Sequence, residues 1–214
     1  MAKAKVVIVD YGLGNLFSIQ RAISYLGGEA IVSSTPSEIK TADRLILPGV
    51  GAFGKGIQEL EKRNLIEPIH LFINSGRPFL GICLGLQLLM SESYEFGQFR
   101  GLDIISGKVI KFQEPRPNDS FRIPHIGWNK LESSRSKSWQ DTLLKDTPIG
   151  SFVYFVHSYF IVPEDPSEIF AETEYGRDRF CSLLQKNNVM GCQFHPEKSG
   201  KMGLSIYKRF LFCS

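Results

Sequence analysis

Apolar and polar positions fall into blocks along the first half of the chain. The stretch KVVIVDYG, from Lys5, is an unbroken β-branched run and reads as a strand buried on both faces. In NLFSIQRAISYLGG, Leu16, Ile19, Ile23 and Leu26 recur at helical spacing, and Gly27-Gly28 stops the helix. EAIVSS reads as a second strand, and RLILPGVGAF as a third that ends in a glycine-rich turn. GIQELEKRNLIEPIHLFINSG reads as helical with a break near Pro68. PFLGI reads as a fourth strand, with LGLQLLMSES as a helix entered directly from it. Strands alternating with helices argue for an α/β fold with a mostly parallel sheet.

After about Gly97 the pattern changes. GLDIISGKVIKF alternates, and GSFVYFVHSYFIV runs aromatic and β-branched. IFAETEYG, FCSLLQKNN and VMGCQFHPE read as short hairpin-linked strands, so an antiparallel or mixed β region joins the sheet late. SKMGLSIYKRFLF closes as a helix whose Lys208-Arg209 pair reads as a solvated face. QEPRPNDSFR, residues 113–122, reads as a loop. No repeat, low-complexity tract or linker interrupts residues 1–214, which read as one domain.

Composition changes this picture little. Of 214 residues, 43% are hydrophobic and 22% charged, with a formal net charge of +3. Those values suit an ordinary globular protein and supply no field for nucleic acid. No apolar run approaches the roughly 20 residues of a membrane span, and the basic start lacks a cleavage site, so no leader is read. Cys83, Cys181, Cys192 and Cys213 form no CxxC pair and no zinc spacing. A reducing, cytoplasmic setting is expected, with no metal and no cofactor. YGLGNL has Phe17 where a dinucleotide fingerprint needs its third glycine, and no acid ends the second strand.

The chemistry centres on GICLG. A nucleophile elbow places its central residue on a strained strand-to-helix turn, with small neighbours that let the turn close. Here that residue is Cys83, and the following helix would favour its thiolate. The other reading is a buried cysteine packed between glycines. A nucleophilic thiol needs a base and an orienting group. His70 reads as packing or surface within a helix. His195, in CQFHPE, ends a strand run, and Glu197 could fix its tautomer. Glu197 could equally cap the next turn. LPGVG ends another strand with free backbone N–H groups, either an oxyanion-binding turn or an ordinary one.

Taken together, GICLGLQLL, LPGVGAF and QFHPEKS resemble class I (triad-type) glutamine amidotransferases. DYGLGNL, PHIGWN, FVHSY and FHPEKSG narrow the likeness to the family of glutaminase subunits of imidazole glycerol phosphate synthase, over nearly the whole chain. Related glutaminase components carry PGPG and CLGHQ where this chain has PGVG and CLGLQ. The resemblance implies a flavodoxin-like sheet flanked by helices, with antiparallel strands added in the C-terminal half. It also implies that Cys83 attacks the carboxamide of L-glutamine, that His195 is the base and that Glu197 orients it. Backbone N–H groups of Val50 or Gly51 and of Leu84 would form the oxyanion hole. Gly49, Gln87, Glu95, Ser158 and Tyr159 would hold the substrate. Relatives can carry threonine at Ser158, which keeps the hydroxyl.

An amidotransferase must deliver ammonia to an acceptor, and no residues are left over for an acceptor-binding domain, so a second protein is expected. The resemblance implies a (β/α)8-barrel cyclase in a heterodimer, producing imidazole glycerol phosphate and an aminoimidazole carboxamide ribotide for histidine synthesis. Asn15, His125, Trp128, Asn129 and Lys201 match stretches near that interface, though each stretch also reads as ordinary structure. A paralogous subunit serving amidination of a surface-polysaccharide sugar is the alternative, and a non-catalytic adaptor a third reading. The Gly49–Val50 peptide is expected to have two orientations whose populations the partner's ligands shift.

Overall fold

The structure is a computed structural model that describes residues 4–212; Cys213 and the first three residues of the basic start lie outside the described residues. In chain order the elements are β1 (Lys5–Val9), α1 (Leu16–Tyr25), β2 (Glu29–Ser33), α2 (Pro36–Thr41), β3 (Arg44–Leu47), α3 (Phe53–Lys62), α4 (Ile66–Asn74), β4 (Phe79–Ile82) and α5 (Leu84–Gln87). There follow β5 (Met90–Ser93), β6 (Phe99–Arg100), β7 (Ile105–Lys111), β8 (His125–Lys130), β9 (Glu132–Ser133), β10 (Phe152–His157), β11 (Tyr159–Pro163), β12 (Ile169–Tyr175), β13 (Asp178–Lys186), β14 (Val189–Cys192) and α6 (Gly200–Phe212).

The main sheet has eight strands in the order β2-β1-β3-β4-β14-β13-β12-β9. Its first five are parallel, and β13, β12 and β9 continue it antiparallel. This is the α/β architecture with a late antiparallel addition. A four-stranded sheet (β11-β7-β5-β6) and a two-stranded one (β10-β8) stand apart from it. Strands β3 and β4 lie in the middle of the main sheet with almost no solvent contact, which their unbroken apolar runs require. Two apolar clusters sandwich the sheet: Val7, Leu47 and Phe79 point to one face, Ile8, Ile46 and Leu80 to the other.

Several expectations need correction. The break in the long helical stretch falls at Arg63–Leu65, where Asn64 takes a left-handed φ of 54°. Pro68 sits in the first turn of α4, where it interrupts no helical hydrogen bond. LGLQLLMSES is not one helix: α5 has four residues, and Met90 already starts β5. Leu88, Leu89 and Met90 are all fully buried, so no amphipathic stripe exists there, and the backbone is drawn away when Leu102 N–H binds Leu88 O and Ile104 N–H binds Leu89 O. The aromatic run from Phe152 splits at Ser158, with β10 pairing β8 and β11 pairing β7. Helix α2, which starts on Pro36, was not expected. Strand β14 forms a hairpin with β13 and on its other edge runs parallel to β4. That pairing brings the segments after β4 and β14 side by side.

Candidate active site

Cys83 follows β4 directly, with φ 52° and ψ −109°. This is a strained left-handed backbone for a residue with a Cβ. The surroundings enforce it. Cys83 N–H donates to Cys192 O at 2.8 Å, and Gln87 N–H takes up Cys83 O at 3.1 Å. Both flanking glycines are sterically required. A Cβ on Gly81 would sit 3.0 Å from Gly85 O, and one on Gly85 would sit 1.8 Å from Leu47 O. The elbow therefore lies flat against the end of β3. With only one turn in α5, the helix-terminus field expected at the thiol is small.

His195 lies three residues beyond β14 and is 2% exposed. Its Nδ1 and Glu197 Oε1 are 2.8 Å apart, and the Glu197 side chain is itself fully buried. Tyr207 of α6 donates to the other carboxylate oxygen at 3.5 Å. The Glu197 carboxylate is thus shared between the His195 ring and the Tyr207 hydroxyl. Nε2 is buried and makes no other hydrogen bond, so it is left to the Cys83 sulfur, which acts on the ring through both charge and hydrogen bonding. Burial opposes charging the ring, but the Cys83 thiolate and then the Glu197 carboxylate outweigh it and lift His195 to about 10. His195 N–H donates to Tyr154 O (2.9 Å), Tyr154 N–H to Ser199 Oγ (3.0 Å), and Ser199 Oγ to His195 O (2.7 Å), which ties the His195 turn to β10.

A cavity of about 300 Å³ opens over Cys83, with Val50, Gly51, Gln87, Glu95, Tyr159 and Lys198 among its walls. That is the low end of small-ligand sites. Gly49 has no room for a side chain: a Cβ would lie 2.2 Å from the Tyr11 hydroxyl and 2.8 Å from Leu84 Cβ. Tyr11 donates to Pro48 O at 2.8 Å and so anchors the turn after β3. Val50 is 41% exposed and Gly51 has φ 114°. The Glu95 carboxylate accepts from Phe53 N–H, the first residue of α3, at 2.5 Å; burial shifts it upward in pKa against that bond. Gln87 Nε2 is committed to Tyr159 O (2.8 Å) and Gln193 Oε1 (3.1 Å), leaving its own carbonyl oxygen for a ligand. Ser158 and Tyr159 line the same cavity.

The residues expected near a partner separate. Trp128 is 53% exposed, its ring edge-on to Tyr154 across the β8–β10 pair, and Lys201 is exposed on α6. Asn15 precedes α1 and makes no capping bond. Asn129 is spent within the chain, donating to Glu174 O at 2.9 Å. His125 is a correction: at 2% exposure it faces inward, stacked between Phe155 and Tyr175, because the alternation along β8 turns Ile126 and Trp128 outward. It lies against His157, which also lines the cavity. Burial holds His125 down at about 4 and His157 at about 3, so both are neutral.

Three residues escaped the sequence reading. Gln193 and Lys198 stand inside the quoted QFHPEKS, and His157 inside FVHSY. Gln193 precedes His195 by two positions, a same-face spacing that could have flagged it. Lys198 lies over the Tyr154 ring at 5.5 Å. Among the described residues, no group of three or more His, Cys, Asp or Glu is placed to hold a metal ion, and no helix is long and apolar enough to cross a membrane.

The family model described as glutamine amidotransferase class-I matches residues 7–213. The chain is 50% identical over 210 residues to the imidazole glycerol phosphate synthase subunit HisH 1 of Legionella pneumophila strain Paris, covering 97% of this chain and 99% of that one. It is 46% identical to the corresponding subunit HisH of Syntrophotalea carbinolica, covering 96% and 98%. In fold it matches the PurLQS structure from Thermotoga maritima with a TM-score of 0.70 at 17% identity, over 98% of each chain.

Proposed function

The chain belongs to the class I glutamine amidotransferase family, and from that premise we propose that it is the glutaminase subunit of an imidazole glycerol phosphate synthase. The observation that carries the reading is the meeting, on the adjacent parallel strands β4 and β14, of a left-handed Cys83 with the His195–Glu197 pair.

In this reading the Cys83 thiolate attacks the carboxamide carbon of L-glutamine. The carbonyl oxygen becomes an oxyanion, received by backbone N–H groups of Val50 or Gly51 and of Leu84. Collapse of the adduct breaks the C–N bond, and the His195 imidazolium gives its proton to the departing ammonia. A glutamyl thioester remains on Cys83. Neutral His195 then takes a proton from water as the water attacks the thioester. The C–S bond breaks, and glutamate and the starting thiolate–imidazolium pair are recovered. Glu197 keeps the ring oriented throughout. In this reading Glu95 receives the substrate's ammonium group, and Gln87, Ser158 and Tyr159 its remaining polar atoms, since all four line the cavity over Cys83.

Ammonia then passes to a cyclase subunit, which we read as a (β/α)8 barrel in a cytoplasmic heterodimer. Residues 1–214 act as one glutaminase domain. Asn15, Trp128 and Lys201 belong to the surface that meets the partner. Replacing Cys83 by Ala should abolish glutamine-dependent turnover in the assembled pair while leaving the pair intact on gel filtration. Full turnover would sink the assignment. A histidine auxotroph lacking this subunit should grow when this chain is supplied with its matched cyclase. Failure to rescue, with glutaminase activity retained, would point to an amidinated sugar as acceptor.

A further inference from the structure

Gln193 is fully buried between β14 and His195, and its own N–H donates to Ser182 O at 3.0 Å. A buried primary amide costs free energy unless both its ends are bonded. Here Oε1 accepts from Gln87 Nε2 at 3.1 Å, and Nε2 donates to Cys83 Sγ at 3.5 Å.

The direction of this chain of bonds is not free. It starts at the carbonyl oxygen of Tyr159, which can only accept. Gln87 must therefore turn its NH2 toward Tyr159, at 2.8 Å. That same NH2 faces Gln193, so Gln193 must answer with its oxygen. Its own NH2 is then left pointing at the sulfur. His157 Nδ1, 2.9 Å from Tyr159 O, converges on the same carbonyl and fixes its position. A main-chain acceptor two side chains away thus dictates that the sulfur meets a donor. A neutral thiol is a weak acceptor and a thiolate a strong one, so this donor favours the ionised nucleophile.

We propose that Gln193 is a positioning residue for the nucleophile: it fixes the Cys83 sulfur from the buried side and stabilises it as thiolate, its donor polarity set by Tyr159 O through Gln87. This rests on the reading of Cys83 as the glutaminase nucleophile. The donor favours the thiolate before attack and again as the leaving group of deacylation. The neutral thioester sulfur between those states gains little from it.

The test follows covalent labelling of Cys83 by 6-diazo-5-oxo-norleucine and by iodoacetamide against pH, in the full chain with its cyclase partner. Gln193→Met keeps the length and removes the donor. It should slow labelling by both reagents at pH 7 by roughly ten- to a hundredfold, the worth of a hydrogen bond to a charged group. The labelling profile should move toward alkaline pH. Glutamine turnover should lose more in kcat than it gains in KM, because Gln87 loses its bond to Gln193 but keeps the one to Tyr159 O. Gln193→Glu sharpens the result. Its protonated carboxyl can donate to sulfur and its ionised form repels it, so this variant should outpace Gln193→Met at pH 5 and fall behind it at pH 8. A lowered melting temperature with unchanged labelling rates and profile in both variants would overturn the proposal, leaving Gln193 as packing alone. If the parent Cys83 is not labelled at all, the glutaminase reading falls and this proposal falls with it.

Discussion

The cavity over Cys83 has two walls built on opposite plans. One wall is the end of β3 and the elbow after β4, where backbone rests on backbone. Gly81, Gly85 and Gly49 each leave less space than a methyl group needs, and the strained Cys83 is held at both its N–H and its C=O. The other wall is residues 156–159, between β10 and β11, and it rests on side chains. Phe112 packs against His157 and Phe160 with ring centres 5.1 and 4.9 Å apart, and His125 stacks on Tyr175 at 3.8 Å. The first wall fixes a nucleophile to within what covalent geometry permits. The second rests on packed rings, and its two buried imidazoles respond to acid.

The hardest test of this contrast is Gly85→Ala. Its Cβ would overlap Leu47 O, backbone against backbone, so β3 and β4 must part; a loss above about 4 kcal/mol in denaturant unfolding is expected. A mild effect would show that the first wall yields. Acid tests the second wall. His125 and His157 sit below the unfolded imidazole value of about 6.5, so the folded state refuses protons that the unfolded state accepts. Their contribution to stability is complete above pH 6.5 and is lost as pH falls toward about 4. His195, shifted upward, does not oppose this: its contribution is complete below 6.5. Discounting for partial solvent access, about 2–4 kcal/mol should disappear between pH 7 and pH 5. Urea midpoints in the parent and in His157→Phe would measure it, and equal slopes in the two would contradict the account.

Smaller effects separate parts of the first wall. Tyr11→Phe leaves Pro48 O buried without its donor and should cost about 1–3 kcal/mol, with turnover falling further than stability because the turn after β3 that walls the cavity loosens. Gly51→Ala meets open space, so only its φ of 114° resists. It should cost about 1–2 kcal/mol, and a cost equal to that of Gly85→Ala would erase the distinction between the two glycines.

The difference between the walls also governs what could be read in advance. The first wall is made of local signals: β-branched runs for β1 and β3, glycines at fixed offsets around Cys83, and the strand ending at His195 with Glu197 two residues on. These do not depend on which strands become neighbours. The second wall does. Nothing local marks Ser158 as a break, because the residues on both sides are equally strand-prone and the split is set by the separate partners β8 and β7. The one-turn α5 was over-read for a related reason, since burial on every side of Leu88–Met90 removes the stripe that periodicity needs. Gln193 acquires its meaning only from contacts with Gln87 and Cys83, more than 100 positions away. The resemblance places the whole PHIGWN stretch near a partner, but a strand sends alternate residues to opposite faces, so His125 turns inward while Trp128 turns outward.

Strand β10 has an unusual place in this arrangement. One edge pairs only with β8, under the exposed Trp128. The other is bonded to the His195 turn through Tyr154, and its Val156 carbonyl lies 3.9 Å from the Cys83 sulfur. Mechanically it is a handle: gripped outside, it ends inside on both reacting groups at once. A crosslink that pulls Lys130 and Phe152 apart is therefore expected to displace both reacting groups together, which a loss of turnover reversed on cleaving the link would show.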